Sequence, residues 1–129
     1  MIKYLLDTTF LVEHLRGSHK TGQFLEKEEL YVSTVTIAEL IQGARDKKEL
    51  ALVNKICKNI DEVIIDKKIS KKAIDLLYNL HLSDGLMFLD ALIAATAIEN
   101  KLTLITGNIK HFNKIEELQV SSQEAVLKS

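Results

Sequence analysis

The chain's 129 residues suit one domain, and 47% apolar against 27% charged residues supply a core without the make-up of a disordered or fibrous protein. A formal charge of −1 excludes nucleic-acid binding through overall charge but leaves a local basic face open. A lone cysteine, Cys57, excludes an internal disulfide; no apolar stretch nears membrane length and no signal-peptide pattern opens the chain, so a reduced, cytoplasmic protein without membrane association is expected.

The apolar run Ile2 to Leu6 has the length of a buried central strand and stops at Asp7-Thr8-Thr9. Phe10 to about Arg16 reads as a helix ended near Gly17, and Thr21 to Glu28 as a second. Leu30 to Ser33 is the next strand. Thr36-Ile37-Ala38-Glu39 has capping-box form, and Ile37, Leu40, Ile41 and Ala44 share the buried side of the helix it would open. A charged turn over Arg45 to Glu49 leads to a helix whose inner face is Val53, Ile56, Cys57 and Ile60.

Glu62 to Ile65 is a third strand, and Ser70 is placed to cap a helix with face Ala73, Leu76, Leu77 and Leu80. Ser83-Asp84-Gly85 signals a loop. Phe88 and Leu89 precede Asp90, which opens the alanine-rich helix Ala91 to Ile98. Leu102 to Ile105 is a fourth strand closed by Thr106-Gly107-Asn108. Phe112 anchors the next segment, Gln119-Val120 is a short edge strand, and the tail from Ser121 carries little signal. Strands alternating with helices imply a mainly parallel sheet covered on both faces, in a single domain over residues 1–129.

Asp7, Glu39 and Asn108 then fall at the carboxyl edge of that sheet, where open α/β folds bind ligands, and Asp90 joins them if its helix faces the same rim. Each has a structural alternative: Asp7 as a helix cap, Glu39 as the return arm of a capping box, Asp90 as the partner of a helix dipole. Three carboxylates brought together repel one another and lose hydration, and a hard divalent cation resolves both costs. The histidines His14, His19, His81 and His111 lack zinc-type spacing and cysteine partners. Metal-assisted hydrolysis is the chemistry these residues fit best.

In order along the chain, Leu6-Asp7-Thr8, Ser33 to Leu40, Asp90 to Ala97 and Thr106-Gly107-Asn108 with Phe112 resemble the PIN-domain ribonucleases, above all the VapC-type toxins of prokaryotic toxin–antitoxin pairs. The resemblance covers almost the whole chain. It implies a three-layer α/β/α fold with a parallel sheet of about five strands, and Mg²⁺- or Mn²⁺-dependent endonucleolytic cleavage of RNA. By motif match, Asp7, Glu39 and Asp90 are the acidic metal-site residues. Asn108 stands where many relatives have Asp, and Thr106 matches a small hydroxyl residue lining the same site. Thr9 stands where relatives commonly have Asn or Ser; His111 is often acidic or His in relatives. An amide at 108 brings no charge, so one tightly held metal is expected, with a second recruited only with substrate.

The resemblance further implies a structured RNA substrate such as transfer RNA or a ribosomal RNA loop, a cognate VapB-type antitoxin, and a homodimer. Phe24, Leu25 and Leu50 to Leu52 are the apolar residues in excess of one core that would serve the dimer. Among the basic residues, Arg16 and Lys110, with His111, follow the rim motifs most closely and are the best candidates for phosphate contacts. The alternatives are an RNA-processing nuclease of the same fold without a toxin role, a non-catalytic binding module whose acids are only caps, and a phospho-acceptor signalling domain, for which the Asp-Thr-Thr at the first strand is a poor match.

Overall fold

The computed structural model describes residues 2–128. Five strands form one parallel sheet in the order β3-β2-β1-β4-β5: β1 (Lys3–Leu6), β2 (Glu29–Ser33), β3 (Asp61–Val63), β4 (Thr103–Thr106) and β5 (Val120–Ser122). Between them run α1 (Thr8–Leu15), α2 (His19–Lys27), α3 (Thr34–Gly43), α4 (Lys47–Cys57), α5 (Lys67–Asp84) and α6 (Phe88–Glu99), with α7 (Gln123–Leu127) after β5 and a 3-10 turn over Ile109–His111. Each parallel pair needs a crossover, and the helices supply it while covering both faces.

Strand alternation assigns the two faces. Leu5 and Leu104, side by side in β1 and β4, point into a core shared with α5, α6 and the segment carrying Phe112, Ile115 and Leu118. Leu6 and Ile105, one residue on, point into the opposite core with Phe10, Leu11, Val32, Leu40 and Val53. The three-layer α/β/α arrangement expected from the sequence is therefore the one observed. Ala91 through Ala97 are buried without interruption, so α6 is apolar all round, as a helix sunk between sheet and neighbour must be. Its alanines let α5 and the sheet approach closely.

Several local readings are corrected. Ser33, not Thr36, caps α3, because its hydroxyl accepts the Val35 N–H at 3.1 Å; Thr36 lies one turn inside the helix, fully buried, and Glu39 is free of the capping box. Asp66 caps α5 by accepting the Ile69 N–H at 2.9 Å, so the helix starts three residues before Ser70. It also runs on through Ser83 and Asp84 to Gly85, whose φ of +70° ends it in the left-handed region that glycine enters without steric cost. The charged segment at Arg45 to Glu49 is largely the first turn of α4, capped by Asp46. β5 extends past Val120, and the tail folds as α7 with Ser122 as its cap.

Of the apolar residues expected in excess of one core, Leu50 and Leu52 are exposed, whereas Phe24 and Leu25 pack against the second core; Ile41, Ile74, Tyr78, Leu82 and Met87 are exposed as well. Among the described residues, no helix is long and apolar enough to cross a membrane.

The assignment of the α5 cap is directly testable. Asp66→Ala should lower unfolding stability by about 1 kcal/mol, while Ser70→Ala stays within about 0.5 kcal/mol of wild type, in urea titrations followed by circular dichroism.

Candidate active site

β1 ends at the carboxyl edge of the sheet, between β2 and β4, and Asp7 comes directly after it. Asp7 is only 6% exposed. Its backbone N–H continues the ladder to Ile105 O at 3.0 Å, which fixes the direction of the side chain. Oδ1 accepts the Thr8 N–H at 2.7 Å, and Oδ2 accepts the Thr106 hydroxyl at 2.7 Å. The N-cap reading of Asp7 is thus correct for one of its oxygens; the other is held by the end of β4, a contact 99 residues away in sequence.

The neighbouring hydroxyls tie the rim together. Thr8 Oγ1 donates to Glu39 Oε1 at 2.7 Å, joining α1 to α3. Thr9 Oγ1 accepts the Gly107 N–H at 2.8 Å, and Thr106 Oγ1 accepts the Asn108 N–H at 3.0 Å. These bonds hold the loop after β4 against the start of α1. Gly107 has no side chain for a spatial reason, since a Cβ there would lie 3.3 Å from Thr9 and from Gln123. Asn108 is exposed, beside the acids but outside the buried cluster.

Asp90 lies in the first turn of α6, whose N-cap residue Met87 offers no side-chain hydrogen bond. The acid's side chain is 28% exposed, with one oxygen 3.5 Å from His111 Nδ1. Burial pushes the Asp7 carboxyl above the ordinary carboxylate range; the bonds from Thr106 and Thr8 oppose this, and repulsion from Glu39 and Asp90 adds to it. Burial likewise raises Asp90, with His111 opposing and Glu39 adding. Asp7 therefore feels the charges of Glu39 and Asp90, and Asp90 that of Glu39. Among the described residues, no group of three or more His, Cys, Asp or Glu side chains is placed to hold a metal ion. Asp7, Glu39 and Asp90 offer hard carboxylate oxygens. That suits a cation which keeps several waters in its shell more than one that demands a closed protein cage.

A groove of about 600 Å³ leads away from the acids between α1, α3 and α4, passing Thr8, Glu39, Arg16 and Arg45. Arg45 is committed to Glu49, which it meets through Nε and Nη2, the latter at 2.8 Å. Arg16 forms no ion pair among the described residues and stays available. Lys110 lies on the 3-10 turn after β4, beside His111. The sequence reading missed the parts played by Thr8 and Thr9; the hydroxyl pair after Asp7 was the available signal. It also missed Glu13 and Gln123, for which no pattern in the sequence gave notice.

An acidic cluster on the carboxyl edge of a parallel sheet, between two helical layers, defines a class of protein. Residues 4–118 match the family model described as the PIN domain, and the chain belongs to the PIN-domain family. Within that family its likeness is to VapC proteins. Ribonuclease VapC19 of Mycobacterium tuberculosis is 32% identical over 121 residues, covering 89% of this chain and 96% of that protein. A toxin–antitoxin complex from Klebsiella pneumoniae matches with a TM-score of 0.76 at 27% identity, covering 92% of this chain and 95% of that one. A DNA-bound VapBC structure from Salmonella typhimurium matches with a TM-score of 0.85 over 95% of this chain and 98% of that one; at 20% identity it speaks for the fold alone.

The raised carboxyl of Asp7 sets a pH dependence. A group that titrates higher when folded than when unfolded makes the folded state bind more protons between the two values, so stability falls as pH rises through that window. Asp7→Asn removes this titration. With EDTA present, the stability of wild type relative to Asp7→Asn should therefore increase as the pH is lowered from about 7 to about 4. Urea unfolding of both proteins across that range checks it, and a difference that does not vary with pH would refute the strained carboxyl.

Proposed function

We propose that this protein is a divalent-metal-dependent endoribonuclease, the toxin of a toxin–antitoxin pair, acting in the cytoplasm. The observation that carries the reading is the buried Asp7 carboxylate, locked by Thr8 and Thr106 within electrostatic reach of Glu39 and Asp90. The VapC relatives, whose names describe ribonucleases, support the substrate. The VapBC complexes among the structural neighbours support the antitoxin.

In this reading Asp7, Glu39 and Asp90 hold Mg²⁺ or Mn²⁺, with Asn108 at the margin as a neutral oxygen donor. Such an ion, when bound, supplies an activated water and neutralises charge on a phosphodiester under in-line attack. The protein's own part is orientation. Thr106 and the Thr8 N–H keep both Asp7 oxygens in fixed directions, and the Thr8 hydroxyl does the same for Glu39. His111 offsets part of the charge of Asp90 from the solvent side. Arg16 and Lys110 position phosphates of the RNA without reading sequence. The groove past Arg16 has walls from Leu40, Leu52 and Val53. It has the shape to take an amphipathic antitoxin segment, and a basic side chain of that segment reaching the acids would compensate their charge.

Purified protein should cleave RNA with Mg²⁺ or Mn²⁺ and stop when EDTA is added. Asp7→Asn and Asp90→Asn should each fold and lose cleavage by about a hundredfold or more, equivalent to about 3 kcal/mol of transition-state stabilisation. Cleavage at the wild-type rate in either variant would overturn the assignment of the site.

A further inference from the structure

A second cleft, of about 580 Å³, opens on the other side of Thr106 from the acids, between α1, α2, the loop after β4 and α7. We propose that it seats the base of the nucleotide next to the bond that is cut, and that Glu13 reads that base through its hydrogen-bond donors. The inference rests on the ribonuclease reading.

Position comes first. Thr106 lines the cleft while its hydroxyl holds Asp7, so the cleft and the acids meet at one residue, the end of β4. The volume falls in the range of small-ligand sites. Ile109 and Leu127 provide apolar wall for the faces of a ring.

Charge selects the base over the backbone. The acids Glu13 and Glu124 balance Lys20 and Lys128, and Lys128 is already paired with Glu124 at 3.1 Å. A neutral cleft is no trap for phosphate. Lys20, without an ion pair among the described residues, lies at the edge for the phosphate attached to the bound base.

Glu13 is aimed by Gln123. The Gln123 carboxamide donates to Glu13 Oε2, and no partner among the described residues takes Oε1. A simple tether of α7 to α1 uses one carboxylate oxygen and accounts for only half of this group. The Gln123 Oε1 is buried without a hydrogen-bond partner among the described residues, beside Gly107, where an added Cβ would lie 3.3 Å from it. Gln123 is thus a positioning residue that acts through Glu13. A carboxylate only accepts hydrogen bonds. It favours guanine, whose ring N–H and exocyclic amine stand side by side, and disfavours uracil, whose single N–H is flanked by carbonyl oxygens.

The test uses Asp90→Asn protein labelled with ¹⁵N, titrated with 5′-GMP and 5′-UMP, alone and combined with Glu13→Gln. GMP should shift the Gly107 amide and the Gln123 side-chain amide at several-fold lower concentration than UMP. Glu13→Gln, whose amide oxygen can still accept from Gln123, should keep the tether and abolish the preference. In parallel, wild type should cut a randomised RNA with guanine enriched about tenfold beside the cut, the discrimination that a hydrogen bond to a charged acceptor supplies. Gln123→Ala should reduce that enrichment and Glu13→Gln remove it. Equal binding of the two nucleotides, shifts away from the cleft, or a preference unchanged by Glu13→Gln overturns the proposal. Guanine-selective binding without any metal-dependent cleavage would sink the nuclease reading and leave the subsite standing.

Discussion

A carboxylate held out of water at the end of the central strand is the constraint on which the rest of this structure depends. Asp7 loses most of its hydration, and it receives in exchange one backbone N–H and one hydroxyl. Both partners must stay in place, because an ionised group left unpaired at that depth costs several kcal/mol. The Thr8 N–H is supplied automatically by the start of α1. The Thr106 hydroxyl is supplied only if β4 lies beside β1 in the observed register, with Leu6 opposite Ile105. The central strand pair and the acid are therefore one unit.

The other acids are placed by packing. Glu39 reaches the rim because α3 begins at Ser33, the last residue of β2, and the Thr8 hydroxyl then catches its carboxylate. Asp90 reaches it because α6 is drawn into the sheet by seven consecutive buried residues, which leaves its first turn at the edge of the core. Neither acid is satisfied there by backbone in the manner of a simple helix cap. Burial raises both Asp7 and Asp90, and the charge of Glu39 adds to the shift of each.

The tail gives the rim its outer support. β5 pairs with β4 through Leu104, Ile105 and Thr106, and α7 begins at once, so Gln123 lies against the same Gly107 whose N–H is held by Thr9. Two segments at opposite ends of the chain thus meet on one loop. Glu13, in the second half of α1, faces the side of this junction away from the acids.

The sequence by itself determined the alternation of strands and helices, the parallel sheet, the two-faced core and the identity of the clustered acids. These are written as period-two and period-3.6 apolar patterns and as acids at the ends of apolar runs, signals that are local and repeated. It misplaced the caps of α3 and α5, because Thr36 and Ser70 are as good capping residues in isolation as Ser33 and Asp66, and only the end of the preceding segment selects between them. It could not foresee Thr106 on Asp7, Thr8 on Glu39 or Gln123 on Glu13. Each of these bonds joins residues 31 to 110 positions apart and exists only after the sheet has closed. Tertiary structure alone decided them, since a hydrogen bond depends on distance and angle and leaves no period in the chain.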